Sequence, residues 1–231
     1  MRKKETLYLI FNHKKWYNVY KEKTLKLGGY MLEINPMVIE GNWKEGYVLD
    51  YFMLESRYKG EDIFGYPIFD VKYSEIGKLM NALKYHKEYK KAADIADIAV
   101  DFIKNTWKID DKIDGIIATP PAHERTTQPL FQIVKHLGEA LNKPISLDFF
   151  RKLTPNEIKA LPEYKKVEIF KNSISKERKL RKKGNILLVD DLYSTGATLR
   201  SLCSHLADDP MVENIYAVSY THLRAHETLR H

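Results

Sequence analysis

The second half of the chain alternates short apolar runs with amphipathic stripes, a pattern that is typical of parallel sheets flanked by helices. Strands are predicted at 113–119, 145–150, 185–189 and 214–220, and helices over 130–141 and 199–206. The run Ile186–Val189 contains no polar position, which indicates burial on both faces of the sheet. These features predict an α/β core built on an open parallel sheet.

The first half carries a different pattern. Short β-like stretches, separated by turn signals, are predicted at 6–11, 16–20, 30–34 and 47–53. Ser74 then precedes an amphipathic stripe that predicts a helix, and a second helix is predicted at about 90–107.

The two patterns divide the chain. We expect a β-rich extension over 1–72, a helical segment over 73–107 and the α/β core over 108–220. Residues 221–231 fit no element and are expected to form a non-native tail.

Composition narrows the class of protein. With 231 residues, of which 44% are apolar, the chain can bury the core of one domain, with room for an extension. Its apolar runs are far shorter than the roughly 18 residues of a membrane-spanning helix, so no membrane segment is predicted. The single cysteine, Cys203, cannot form an internal disulfide and lies on an apolar helix stripe. A reducing cytoplasm is therefore the expected compartment.

Positive charge is concentrated in one segment. The chain has 38 Lys and Arg against 31 Asp and Glu, a net charge of +7. Residues 165–183, between the second and third predicted core strands, hold nine basic and two acidic residues, a surplus that equals that of the whole chain. Three interpretations remain open: a flexible hood whose cations reach an anionic ligand, a solvated charged loop, or a contact with nucleic acid.

The stretch 186–198 carries the strongest chemical signal. A buried strand ends in Asp190 and Asp191, and a short turn of hydroxyl-bearing and small residues then opens a helix. Free N–H groups at the start of a helix bind anions, and small residues let a phosphate approach the backbone. Adjacent carboxylates accept hydrogen bonds from a sugar diol. The stretch therefore predicts a ribose 5-phosphate site beyond the carboxyl end of the strand. An ATPase is disfavoured because the chain lacks a G-x-x-x-x-G-K-[ST] loop.

This stretch resembles the phosphoribosyl pyrophosphate (PRPP) motif of type I phosphoribosyltransferases, and the chain is similar to their ComF-like (competence protein F) branch. Residues 117–121 with Arg125 resemble the first strand and pyrophosphate-side loop of that branch, and 151–155 resemble its second strand and the start of a mobile loop. Segments 58–65, 74–77 and 83–85 resemble stretches that precede this domain in some members. The four-cysteine zinc ribbon common in the branch is absent from this sequence, so its role does not carry over.

The resemblance implies a type I phosphoribosyltransferase-like open parallel sheet flanked by helices. It also implies Mg²⁺-dependent transfer of a phosphoribosyl group to, or pyrophosphorolysis from, an unidentified nitrogen acceptor. The residues implied to bind PRPP are Asp190, Asp191, Leu192, Tyr193, Ser194, Thr195, Gly196, Ala197 and Thr198. The implied pyrophosphate side is formed by Thr119, Pro120 and Arg125. The implied catalytic residues are Asp190, Asp191 and Arg125, with Mg²⁺ held mainly through PRPP and additionally by the two acids.

Two other functions fit the same sequence: a non-catalytic PRPP or nucleotide sensor, and a ComF-like accessory protein of DNA uptake. The expected partner is a small phosphoribosyl substrate, nucleic acid is the alternative, and a homodimer fits as well. Arg125 either binds pyrophosphate through its guanidinium fork or is a solvated surface residue.

Overall fold

A six-stranded sheet forms the centre of the molecule. The computed structural model describes residues 23–27, 30–123, 125–154, 157 and 173–223. The sheet consists of β3 (Met37–Val38), β4 (Glu45–Tyr51), β7 (Gly115–Ala118), β8 (Ile145–Ser146), β11 (Gly184–Tyr193) and β12 (Val212–His222). Its order is β3-β4-β12-β11-β7-β8, in which β3 is antiparallel to β4 and the other five strands are parallel. The predicted fold class, an open and mostly parallel sheet flanked by helices, is confirmed.

Helices cover both faces of this sheet. They are α1 (Glu75–Tyr85), α2 (Lys91–Asp101), which continues as a π-helical turn (Phe102–Trp107), α3 (Pro129–Leu141) and α4 (Ala197–Ala207). On β11, Leu187 and Val189 pack with α1, α2 and α3, whereas Leu188 packs with α4 on the opposite face. This burial on two sides explains the uninterrupted apolar run of β11. Cys203 is fully buried in α4, as its place on the apolar stripe predicted.

Within the described ranges, three antiparallel pairs lie outside the main sheet. They are β1 (Lys23–Leu27) with β2 (Tyr30–Ile34), β5 (Met53–Glu61) with β6 (Pro67–Tyr73), and β9 (Phe150–Lys152) with β10 (Ile174–Lys176). The β5–β6 hairpin is largely exposed, and Tyr58 meets Phe69 across it with ring centroids 5.8 Å apart. It follows directly on β4 and leads into α1, so it connects the main sheet to the first helix.

The fixed position of α1 matters for the site described below. Ser74 caps the helix by accepting a hydrogen bond from Gly77 N at 2.9 Å, and its hydroxyl donates to the carbonyl oxygen of Tyr51 at the end of β4. A side chain at position 77 would collide with the carbonyl oxygen of Phe52, so glycine permits this close approach. The helix therefore starts in contact with the end of a core strand.

Several elements differ from the predicted ones. The stretch predicted at 145–150 is two short strands, because only Ile145 and Ser146 pair with β7 and the chain then turns into β9. The β5–β6 hairpin was not predicted, since 53–61 has no regular apolar alternation. The stretch predicted at 47–53 in the extension is largely β4, which belongs to the main sheet, and β3 beside it was not predicted. Strand β12 runs through His222, two residues into the expected tail. The strands predicted at 6–11 and 16–20 lie outside the described residues.

Tyr220 on β12 provides a test of the packing. Its side chain is fully buried, and its hydroxyl has no hydrogen-bond partner among the residues that the structure describes. Because an unpaired buried hydroxyl is destabilising, we expect Tyr220→Phe to raise the free energy of unfolding by about 1 kcal/mol. Urea denaturation of the two proteins measures this difference. A loss of stability in the phenylalanine variant would mean that the hydroxyl is hydrogen-bonded.

Candidate functional site

A cleft of about 370 Å³ opens at the carboxyl ends of β7 and β11. In an open α/β sheet this is the edge at which ligands bind. Its walls come from four parts of the chain: the end of α1, the loop 119–128 with the start of α3, the end of β9, and β11 with the start of α4. The lining includes Lys84, Thr119, Arg125, Lys152, Asp190 and Asp191. Carboxylates and cations therefore face one another across a single space.

The two acids have different environments. Asp190 is 8% exposed and accepts a hydrogen bond of 2.8 Å from the Thr119 hydroxyl, which β7 holds beside β11. Asp191 pairs with Lys84 of α1, with Nζ and Oδ2 2.7 Å apart and both side chains mostly buried. The neighbouring strand β12 holds the Asp191 carbonyl through the Thr221 hydroxyl, 2.8 Å away. Each carboxylate is thus held by a partner from another element.

Asp190 has a strongly shifted pKa. Burial, followed by the nearby charge of Asp191, raises its pKa from 3.8 to about 7, although Thr119 and Lys84 favour the ionised form. The carboxyl of Asp190 therefore changes its charge close to neutral pH. Shifted pKa values of this kind are found at functional sites more often than elsewhere.

A tight turn connects β11 to α4. Gly196 adopts a positive φ of 75°, and a side chain there would collide with the buried Tyr193 beneath it. The Thr195 hydroxyl accepts from Ala197 N at 3.4 Å, while Thr198 in the first turn of α4 lines the cleft. The turn thus directs the amino terminus of α4, where backbone N–H groups favour an anion, toward the edge of the sheet that carries the acids.

The loop 119–128 supplies a second cation. The side chain of Arg125 is exposed and donates a hydrogen bond of 3.2 Å to the carbonyl oxygen of Lys84. Gln128, at the end of the loop, donates to the carbonyl oxygen of His123 in its middle at 3.0 Å. Lys152, at the end of β9, faces the same cleft. Anionic groups of a ligand would therefore find three cations here, from α1, this loop and β9.

The structure brings most of the predicted site residues to this cleft. Its lining contains Thr119, Pro120, Arg125, Asp190, Asp191, Leu192 and Thr198. The other members of the predicted loop do not line it: Tyr193 is buried under the turn, Gly196 is buried within it, and Ser194, Thr195 and Ala197 are exposed. Their binding roles remain predictions.

The described part of the basic segment begins beside the cleft, where Ile174 pairs with Lys152, and then leads away from it. Residues 179–183 lead into the amino end of β11, so they are about 20 Å along the strand from Asp190. Lys176 pairs with Asp209 at 2.7 Å, and Arg178 pairs with Asp148. None of the residues 173–183 lines the cleft. A hood formed by these cations is therefore not supported, and Lys165, Lys166 and Lys171 lie outside the described residues.

Sequence reasoning missed the part played by Lys84. It is the last basic residue of a predicted amphipathic helix, and no spacing in the sequence links it to Asp191. Lys152 lies in the stretch 151–155, whose resemblance implies no binding role for it. The approach of both cations to the acids depends on how α1 and β9 pack.

No protein-family model matches the sequence, and no curated protein matches it. Solved structures that resemble the chain include UMP synthase from Leishmania donovani, with 15% identity, a TM-score of 0.33, and coverage of 72% of this chain and 28% of that one. Hypoxanthine phosphoribosyltransferase from Staphylococcus aureus has 13% identity, a TM-score of 0.34, and coverage of 57% of this chain and 62% of that one.

Adenine phosphoribosyltransferase from Saccharomyces cerevisiae has 14% identity, a TM-score of 0.37, and coverage of 74% of this chain and 85% of that one. The chain thus spans less than two thirds of the UMP synthase and of the hypoxanthine enzyme. Similarities at this level do not establish a shared activity. In the described residues, no helix is long and apolar enough to cross a membrane.

The buried acid makes stability depend on pH. Because the pKa of Asp190 is higher in the folded protein, its contribution to stability is present in full below the unfolded value near 3.8 and is lost as pH rises through about 7. We expect Asp190→Asn, which keeps the shape and removes the charge, to be more stable than wild type by about 4 kcal/mol at about pH 8. The two proteins should be equally stable at about pH 4.

Urea denaturation at both pH values measures this dependence. Asp208→Asn, an exposed acid at the far end of α4, is the control and should show no such dependence. An equal effect of Asp190→Asn at both pH values would contradict the shifted pKa.

Proposed function

We propose that the protein binds PRPP in this cleft and transfers its phosphoribosyl group to a nitrogen acceptor. The observation that carries the proposal is the position of Asp190 and Asp191: both face one cleft, beside the amino terminus of α4 and opposite Lys84, Arg125 and Lys152. A ligand that fits must offer hydroxyl donors to the acids and anionic groups to the cations. A phosphorylated ribose with a pyrophosphate meets both requirements.

Each group has a proposed task. Asp190 and Asp191 accept hydrogen bonds from the ribose hydroxyls, and the N–H groups at the start of α4, with Thr198, hold the 5-phosphate. Arg125 and Lys152 face the pyrophosphate and offset the charge that develops on it. The bond between C1 and the pyrophosphate oxygen breaks with its electron pair on the oxygen. A bond from the acceptor nitrogen to C1 forms, and the proton of that nitrogen passes to solvent.

Magnesium fits this site only together with a phosphate ligand. Among the described residues, no group of three or more His, Cys, Asp or Glu side chains could hold a metal ion. The available carboxylates are Asp190, which already accepts from Thr119, and Asp191, which pairs with Lys84. Because Mg²⁺ commonly combines one or two carboxylates with substrate phosphates and water, these acids would meet an ion carried by the pyrophosphate. Its contribution would be to offset charge on the leaving group.

The finer expectations from the sequence are part of the same proposal. They are membership of the ComF-like branch, a cytoplasmic location and a homodimer. The DNA-uptake alternative draws its support from the basic segment, of which residues 179–183 lie at the opposite end of β11 from the cleft. This separation favours the small-molecule function for the cleft.

Calorimetry with PRPP and Mg²⁺ tests the pocket. We expect wild type to bind, and Asp191→Asn to bind at least about tenfold more weakly because a charged acceptor for the ribose hydroxyls is lost. Asp208→Asn removes the same charge outside the cleft and should bind as wild type does. Absence of binding by wild type would refute the proposal.

Release of pyrophosphate distinguishes a phosphoribosyltransferase from a non-catalytic sensor. A panel of nucleobases and amines is incubated with the protein, PRPP and Mg²⁺, and inorganic pyrophosphate is measured. Release that depends on one acceptor and is lost in Asp191→Asn supports the transferase. Binding of PRPP without release for any acceptor in the panel supports the sensor.

A further inference from the structure

The ion pair between Lys84 and Asp191 joins α1 to the candidate site. Nζ of Lys84 lies 2.7 Å from Oδ2 of Asp191, and the two side chains are 16% and 25% exposed. An ion pair shielded from water to this degree is stronger than the surface pairs of the same helix, such as Lys78 with Glu75, whose side chains are more than half exposed. The pair therefore fixes the direction of the Asp191 carboxylate.

Lys84 itself is held by the packing of its helix. Ile76, Met80 and Leu83 of α1 are fully buried, and the cap at Ser74 fastens the start of the helix to the end of β4. The carbonyl oxygen of Lys84 accepts the hydrogen bond from Arg125. The last turn of α1 therefore touches two sides of the cleft: the ammonium meets the acids, and the backbone meets the loop that carries Arg125. A site is most accurate when its side chains are placed by such rigid elements.

The charges in the cleft explain why the position of Lys84 matters for a ligand. Two adjacent carboxylates would repel the phosphates of a phosphorylated sugar, yet the same carboxylates are needed as acceptors for its hydroxyls. A cation in contact with the Asp191 carboxylate offsets part of this repulsion and leaves the second oxygen of that carboxylate available to a ligand hydroxyl. Lys84 occupies that position.

We propose that Lys84 is a positioning residue, which orients the Asp191 carboxylate toward the hydroxyls of a ribose phosphate. The inference rests on the proposed function, because it concerns the same cleft. It predicts that Lys84 acts through Asp191 and therefore on the hydroxyls of the ligand more than on its phosphate.

Two ligands separate these effects: ribose 5-phosphate, and 2-deoxyribose 5-phosphate, which lacks one hydroxyl. Calorimetry compares wild type with Lys84→Gln, Lys84→Arg and the control Lys78→Gln on the exposed side of the same helix. We expect Lys84→Gln to bind ribose 5-phosphate about tenfold more weakly and the deoxy sugar only about twofold more weakly. Lys84→Arg should recover most of the loss, and Lys78→Gln should match wild type.

The outcomes are distinguishable. An equal loss of affinity for both sugars would show that Lys84 acts on the phosphate. Unchanged binding of both sugars would show that Lys84 does not act on the ligand. Either result overturns the inference, while the proposed function stands. Failure of wild type to bind either sugar or PRPP refutes the proposed function and the inference with it. Thermal unfolding of each variant shows whether a loss of binding reflects a loss of structure.

Discussion

The pairing of β11 with β7 on one side and β12 on the other is the constraint on which the site depends. All three strands run in parallel, so Thr119, Asp190 and Thr221 reach the same edge of the sheet. A slip of one residue in β11 would turn each acid to the opposite face of the sheet, so the register that β11 keeps with β7 and β12 decides where the acids point. The position of the acids is therefore set by packing far from the cleft, and the loop itself needs to supply only the turn into α4.

This constraint places a carboxyl where it is unfavourable for stability. Asp190 lies in a buried part of β11, so burial disfavours its ionised form, and the negative charge of the adjacent Asp191 disfavours it further. Two separate elements each supply one stabilising contact: the Thr119 hydroxyl donates to Asp190, and the Lys84 ammonium pairs with Asp191. Such an arrangement has little value for folding. Functional sites often retain groups that reduce stability. The arrangement is therefore consistent with carboxylate oxygens that bind a ligand.

The sequence predicted those features that depend on local pattern. The apolar run 186–189, the acids after it and the small residues before α4 identify a strand, a turn and a helix, and the rule for parallel sheets then predicts where they meet a ligand. Contacts between distant segments were not predictable in this way. The membership of β4 in the main sheet and the approach of Lys84 to Asp191 depend on tertiary packing. The three interpretations of the basic segment stay predictions, because charge density does not say which end of β11 a segment adjoins and residues 165–172 lie outside the described part of the chain.

Cys203 offers a practical consequence. Its thiol is buried in α4, and burial raises its pKa to about 12, so almost none of it is present as the reactive thiolate at neutral pH. Alkylating reagents and maleimide dyes should therefore leave the natural chain unlabelled. A cysteine introduced at the exposed position of Ser194 would be the one reactive thiol in the molecule, next to the cleft. Because Cys203 does not react, a fluorescent dye or spin label attached at position 194 would report ligand entry without labelling elsewhere.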